Sequence, residues 1–228
     1  MAMLLACLLA FAGAVANQDF STHTVATGDF RQLSIRHFAP LDSSAPTIII
    51  VHDWALPCDQ WTDIAERLQG LGFGVLLFNL RGHGGSSTAY YFMNNAQIAQ
   101  MHFDVEAAVS FARSRGGARV FILGAGLGAN LAINQAITDG TIAKVVAVSP
   151  GLNYRGNRID QAPEELEPDR LMLIASLEDV YSVYTVRQLQ RRYAEPPRVH
   201  LYNNAGHGVW ILKRLGSSVD TIASWLRE

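Results

Sequence analysis

"GAGLGAN", residues 124–130, follows the apolar run "RVFIL" (119–123) and opens a stretch of helical character. Small residues at the join of a strand and a helix admit more than one chemistry. Read as G-x-G-x-x-G/A, with Gly124, Gly126 and Ala129 on the pattern, the stretch is a dinucleotide loop whose bare backbone N–H groups approach a pyrophosphate. Its surroundings oppose that reading. The next strand ends in "VAVSPG" with no Asp or Glu for a ribose hydroxyl, and several strands come before the loop, whereas the fingerprint belongs to the first βαβ unit. An NAD(P)-binding oxidoreductase is therefore the disfavoured alternative.

Working outward from the loop, apolar runs of strand length alternate with amphipathic segments. "TIIIVH" (47–52), "GVLLFNL" (74–80), "RVFIL", "KVVAVS" (144–149), "RLMLIAS" (170–176) and "RVHLYNN" (198–204) are continuous Val/Ile/Leu-rich strands of the kind buried on both faces of a parallel sheet. "STHTVAT" and "RQLSIRHFAP", separated by Gly28-Asp29, make an opening hairpin. Helices are expected near 59–69, 96–115, 127–138, 182–193 and 208–227. In the second, Ile98, Met101, Val105, Ala108, Val109 and Phe111 recur at helical period, as on a helix covering a sheet. The expected fold class is α/β, a doubly wound, mostly parallel eight-stranded sheet with its ligand site at the carboxyl ends of the strands. The segment between the sixth and seventh strands has room for one helical turn at Glu164-Glu165-Leu166, so no large lid is expected.

The chain has 228 residues, 49% hydrophobic and 17% charged, with a formal net charge of −2. That is enough for one well-filled core, and residues 17–228 are expected to form a single domain. Charges of both signs are interspersed, which excludes electrostatic attraction to nucleic acid or to an anionic membrane and favours a small or neutral ligand. Residues 1–16 are apolar and close on Ala14-Val15-Ala16, the small-x-small pattern of a cleaved signal peptide, which implies a secreted or periplasmic protein. The run is shorter than the ~20 apolar residues of a spanning helix, so no stable membrane insertion is expected. "LLAC" leaves too little hydrophobic segment before Cys7 for a lipoprotein signal. Cys58 then remains alone, which leaves neither an internal disulfide nor a zinc site, and no cofactor is expected.

The same loop also aligns with G-x-S-x-G, with Gly126 at the serine position. That motif is a strained strand-to-helix turn holding a nucleophile above the sheet at a helix N-terminus. On this alignment the chain, from "RQLSIRHFAP" to its end, resembles the α/β-hydrolase superfamily, and within it small secreted bacterial serine hydrolases. Four segments carry the resemblance in order: "VHDWALPCDQW" is similar to the H-G-x-x-G oxyanion loop, "NLRGHGGS" (79–86) to D-x-R-G-x-G-x-S, "ASLEDVYS" (175–182) to the loop of the catalytic acid, and "NNAGHGVW" (203–210) to the loop of the histidine. The chain order of nucleophile, acid and histidine is that of this fold.

The resemblance implies that His207 takes the nucleophile's proton, Asp179 orients the imidazole, and the N–H groups of Trp54 and Leu127 form the oxyanion hole. Trp61, Tyr90 and Trp210 would line an apolar cleft, with Asp53 at its edge. Two departures stand out. Asp53 replaces the usual glycine of the oxyanion loop, where an acid facing the pocket would repel a developing oxyanion, and Gly126 leaves the nucleophile position vacant. Asn79 for the usual aspartate is a milder, structural change. Each residue also has a plainer reading: His207 as a loop histidine, Asp179 as a solvated neighbour of Glu178, His52 and His83 as loop braces. Ser149 is the best substitute nucleophile, although a Ser-Pro-Gly turn explains it more simply. Cys58 is expected to be a small half-buried hydrophobe.

The expected function is a carboxylester or acyl hydrolase-like protein, weakened or inactive, acting on or binding a small acyl or ester-like molecule. A pocket left at Gly126 would admit a water for His207 to activate. The alternative is a non-catalytic small-ligand-binding or interaction module.

Overall fold

The computed structural model describes residues 20–54, 56–86, 90–117 and 119–228. The signal peptide expected at 1–16 lies outside the described residues. An antiparallel hairpin, β1 (Ser21–Ala26) and β2 (Gln32–Phe38), leads into the parallel strands β3 (Thr47–Val51), β4 (Gly74–Phe78), β5 (Val120–Ala125) and β6 (Lys144–Val148). A two-residue-per-strand hairpin follows, β7 (Asn153–Tyr154) and β8 (Asn157–Arg158), which sequence periodicity does not reveal, and then the single helical turn α5 (Ala162–Glu165). β9 (Leu171–Ser176) and β10 (Arg198–Tyr202) complete an eight-stranded sheet in the order β1-β2-β4-β3-β5-β6-β9-β10, parallel from β4 to β10. This is the expected doubly wound, mostly parallel eight-stranded architecture, with no large lid among the described residues.

The strands are apolar on both faces because both faces are covered. Along β3, Ile49 and Val51 join one buried cluster and Ile48 and Ile50 the other, and β4 divides Leu76 and Phe78 from Val75 and Leu77 in the same way. The first cluster is closed by α3 (His102–Ser114), α4 (Leu127–Thr138) and α6 (Val180–Arg192), the second by α1 (Thr62–Gly70) and the C-terminal helices Val209–Arg214 and Gly216–Arg227. Two expected helices are each divided. The 96–115 segment becomes α2 (Asn95–Ala99), opened by an Asn94–Gln97 capping box, and then α3. The 208–227 segment is interrupted at Leu215, where ψ of 77° leaves the helical region just before Gly216. Among the described residues no helix is long and apolar enough to cross a membrane.

A buried ion network ties the opening hairpin to the sheet. The Arg81 guanidinium, beyond β4, makes a bidentate pair with Asp29 (2.7 and 2.9 Å) and two bonds to Asp104 Oδ1 (2.9 and 2.6 Å), while its own N–H donates to Asp104 Oδ2 at 2.7 Å. The Arg81 bonds hold Asp29 down to about 2. Burial works against the Asp104 charge, since that side chain is fully enclosed on α3 and has the Arg81 side chain and N–H as its hydrogen-bond donors.

Candidate active site

At the carboxyl edge of the sheet, five strand ends bring their following residues together: Asp53 after β3, Gly126 after β5, Ser149 after β6, Asp179 after β9 and His207 after β10. Gly126 takes φ 52° and ψ −120° and begins α4 directly, its N–H bonded to Val148 O at 2.9 Å. Close approach decides the glycines beside it. A Cβ on Gly128 would run into the carbonyls of Val51 and His52, and one on Gly124 into the backbone of Gly128. The small-residue pattern of "GAGLGAN" is therefore what allows α4 to start against β3 and β5.

Asp179 caps α6, its Oδ1 accepting the Ser182 N–H at 3.3 Å, and its Oδ2 lies 2.6 Å from His207 Nδ1. Burial opposes its ionisation, but the bonds from His207 and Ser182 outweigh that and hold the carboxyl below the usual range. Glu178, next in the chain, has a different task. It accepts the Ser176 hydroxyl at 2.6 Å and the N–H groups of Asn204 and Gly206 at 3.0 and 2.7 Å, which bring it down to about 2. It thus fastens the histidine loop, and of these two neighbours in the chain it is Asp179 that faces the imidazole. Ser149 fastens the other side of the loop: fully buried and at φ 51°, it accepts the Gly208 N–H on Oγ at 2.9 Å. That role, rather than nucleophilic attack, accounts for the serine.

The oxyanion loop is braced from beneath. His52 Nε2 accepts the Leu80 N–H at 3.0 Å, so its Nδ1 carries the proton and donates to Asp53 O at 2.7 Å. Burial pushes this imidazole down to about 3, which keeps it neutral. The His83 ring packs at 4.7 Å from it and 5.5 Å from Trp54.

Asp53 itself departs from the expected arrangement. Its Oδ1 accepts the N–H of Trp54 at 2.7 Å and of Leu127 at 2.9 Å, and its Oδ2 lies 3.2 Å from His207 Nε2. The two donors expected to hold a substrate oxyanion hold this carboxylate instead. A Cβ built on Gly126 would overlap all three terminal atoms of Asp53, the farthest of them 2.5 Å away. The space at Gly126, expected to admit a water, is thus filled by a side chain from the loop after β3. Glycine at 126 and aspartate at 53 are one structural change in two places.

His207 consequently bridges two carboxylates. Its bonds to Asp179 and then to Asp53 raise it to about 9, against the opposing effect of burial. The imidazolium is the resting form at neutral pH, so the ring is not poised as a base. Because the folded-state value lies above the ordinary 6.5, the stabilisation from this charge is full below about pH 6.5 and is lost as pH rises through about 9. We expect the His207 ring to titrate near pH 9 by NMR, and Asp53→Asn to bring the midpoint back toward the ordinary value. A wild-type midpoint already at the ordinary value would contradict the bridge.

The aromatic residues divide. Trp54 is half-buried beneath the Arg155 guanidinium, 4.4 Å above its ring. Trp61, expected in the cleft, is fully enclosed in the second core cluster with Ile64 and Leu68, because the helix it starts turns that side inward. Trp210 remains 43% exposed with Lys213 over its ring, and is not drawn into the catalytic cluster. The side chain of Tyr90 lies outside the described residues. Cys58 is fully buried, more than expected, and burial pushes its thiol up to about 11, so it is inert packing. The sequence reading overlooked Tyr154, whose phenol is raised to about 12 by burial, with the charges of Asp179 and Asp53 adding to the shift. "LNYRG" offered only an aromatic in a loop as its signal.

Residues 42–200 match the family described as serine aminopeptidase, S33. No curated relative matches by sequence. Among solved structures, the chain is similar to an esterase from Pyrococcus furiosus (18% identity, 91% of this chain and 92% of that one, TM-score 0.71). It is also similar to a lidless serine hydrolase from Xanthomonas campestris (16%, 92% and 94%, TM-score 0.71) and to a bacterial membrane phospholipase A described as a virulence factor (15%, 92% and 86%, TM-score 0.72). These likenesses are likenesses of fold.

Proposed function

We infer, for a chain that belongs to the serine aminopeptidase S33 family of hydrolases, that it keeps the hydrolase frame and its acid–histidine pair while no longer performing serine-type acyl transfer. The observation that carries this reading is the seat of Asp53, whose carboxylate takes the oxyanion-hole N–H groups and the volume a serine side chain needs. An ester carbonyl arriving at this site finds neither nucleophilic hydroxyl nor free donors, and meets a negative charge where its own would develop. The protein is thus a weakened or inactive carboxylester hydrolase whose cleft takes a small acyl or ester-like molecule. A non-catalytic binding module is the second reading, favoured by the same filled hole. A dinucleotide is disfavoured, because the Asp53 carboxylate stands at the start of α4 where a pyrophosphate would have to lie.

Short-chain nitrophenyl esters test the reading. The unchanged protein is expected to release nitrophenol no faster than its His207→Ala variant. Turnover dependent on His207 and in the ordinary enzymatic range of ~1–10³ s⁻¹ would overturn it.

A further inference from the structure

We propose that the outer face of α6 is a self-association surface, on which a second copy of this chain packs its own α6 antiparallel across a two-fold axis beside Tyr184. The proposal is independent of the chemistry read at the active site.

The sequence puts two faces on this helix. Ser182, Val183, Thr185, Val186 and Leu189 are buried and form its inner side. On the outer side Leu177, just before the helix, is followed by Val180, Tyr184, Arg187 and Arg191 at steps of three and four residues, the spacing of a seam between two helices. Val180 is 76% exposed and Tyr184 51%, with Leu177 exposed beside them. Apolar residues exposed singly are ordinary on a protein surface. These three instead border one recess of about 590 Å³, whose walls also include Val183, Arg187 and Arg191.

The charges select the occupant. Glu178 stands exposed at the amino end of the seam, and its bonds from Ser176, Gly206 and Asn204 keep it ionised. Arg187 and Arg191 stand exposed at the carboxyl end, and among the described residues neither has a hydrogen-bond or ion-pair partner, whereas Arg192 beside them is paired with Glu164. A seam that is acidic at one end and basic at the other complements its own reverse. With Tyr184 on the axis, position 191 of one copy lies opposite 177 of the other, 187 opposite 181, and 180 opposite 188. Arg191 is thereby brought to Leu177 and Glu178 of the second copy, and Arg187 to its Tyr181 ring, a cation–π pairing. Each contact occurs twice, as two-fold symmetry requires. A parallel pairing would set arginine against arginine, so the antiparallel one is favoured. Both halves of the match are present in this one chain, which is why the occupant is a second copy rather than a different protein.

The area sets the strength. α6 has 13 residues and is about 20 Å long, so one helix face against another falls short of the ~1,200–2,000 Å² of a standard interface. The dimer is therefore reversible, with a dissociation constant on the order of 100 µM.

Sedimentation equilibrium of the full chain from ~10 µM to ~1 mM tests this, and a monomer–dimer equilibrium is the expected result. Tyr184→Glu and Tyr184→Lys each set a charge against its own copy on the axis, and each should weaken the homodimer at least ~10²-fold. Mixed in equal amounts, the two variants should associate again at least as tightly as the unchanged protein, because the axis then carries one charge of each sign. That recovery also shows that neither variant is misfolded. A monomer at every concentration, a dimer that survives either substitution, or a mixture no more associated than its components would each overturn the proposal.

Discussion

Replacing Asp53 with Gly and Gly126 with Ser together is expected to give a protein that hydrolyses short nitrophenyl esters at least ~10³-fold faster than either single variant. The magnitude is a part of the ~10⁶ that a serine protease loses with its serine. Gly126→Ser alone places a Cβ among the carboxylate atoms of Asp53, in a backbone conformation (φ 52°, ψ −120°) that already costs a side chain about 1–3 kcal/mol. Asp53→Gly alone frees the N–H groups of Trp54 and Leu127 but supplies nothing to attack. Together they clear the hole, seat a hydroxyl beside Nε2, and remove the carboxylate that holds His207 protonated. Adding His207→Ala should return the double variant to background. If Gly126→Ser alone reached the double variant's rate, Asp53 would have to swing aside at little cost, and the filled hole would not explain the missing chemistry.

The second large effect concerns stability. Arg81→Ala should lower the unfolding free energy by about 3–5 kcal/mol, the usual cost of stranding one member of a buried ion pair. Asp104 is completely enclosed and would keep only the backbone N–H of residue 81, and Asp29 would lose its bidentate partner. Against a total of about 5–15 kcal/mol for a natural domain, this is a large share. Urea denaturation measures it. Arg81→Met combined with Asp104→Leu should recover much of the loss, because two apolar groups of similar bulk leave no buried charge unpaired. A loss below about 1 kcal/mol for Arg81→Ala would mean that water reaches Asp104.

The sheet was legible because burial on both faces writes itself into the sequence as unbroken apolar runs, as in "TIIIVH" and "RVFIL". Helix breaks were less visible. Ile98, Met101 and Val105 keep one period across the junction at Gln100, since both pieces cover the same face, and periodicity reports the face rather than the continuity. Trp61 shows the converse limit, for an aromatic at a helix start can turn to the core or to the cleft with the same local sequence. At the site, Asp179, His207 and Gly126 stood out by their loops. What could not be read was the meeting of two departures: Asp53 and Gly126 looked like separate losses, and only packing shows that the carboxylate of one occupies the room left by the other. Ser149 and Glu178 were likewise ambiguous until their backbone partners came from loops distant in sequence.

The bridge at His207 bears on how such a site holds together. Two carboxylates, Asp179 and Asp53, point at one ring from opposite nitrogens, and the ring's positive charge is what lets them face each other. A neutral residue at 207 would leave like charges confronting one another across a gap, whatever the protein does or does not turn over. The acid and the histidine therefore hold this geometry with no substrate present, and their pairing is not by itself a record of catalysis. They act as a clasp that fastens the loops after β3, β9 and β10 to one another.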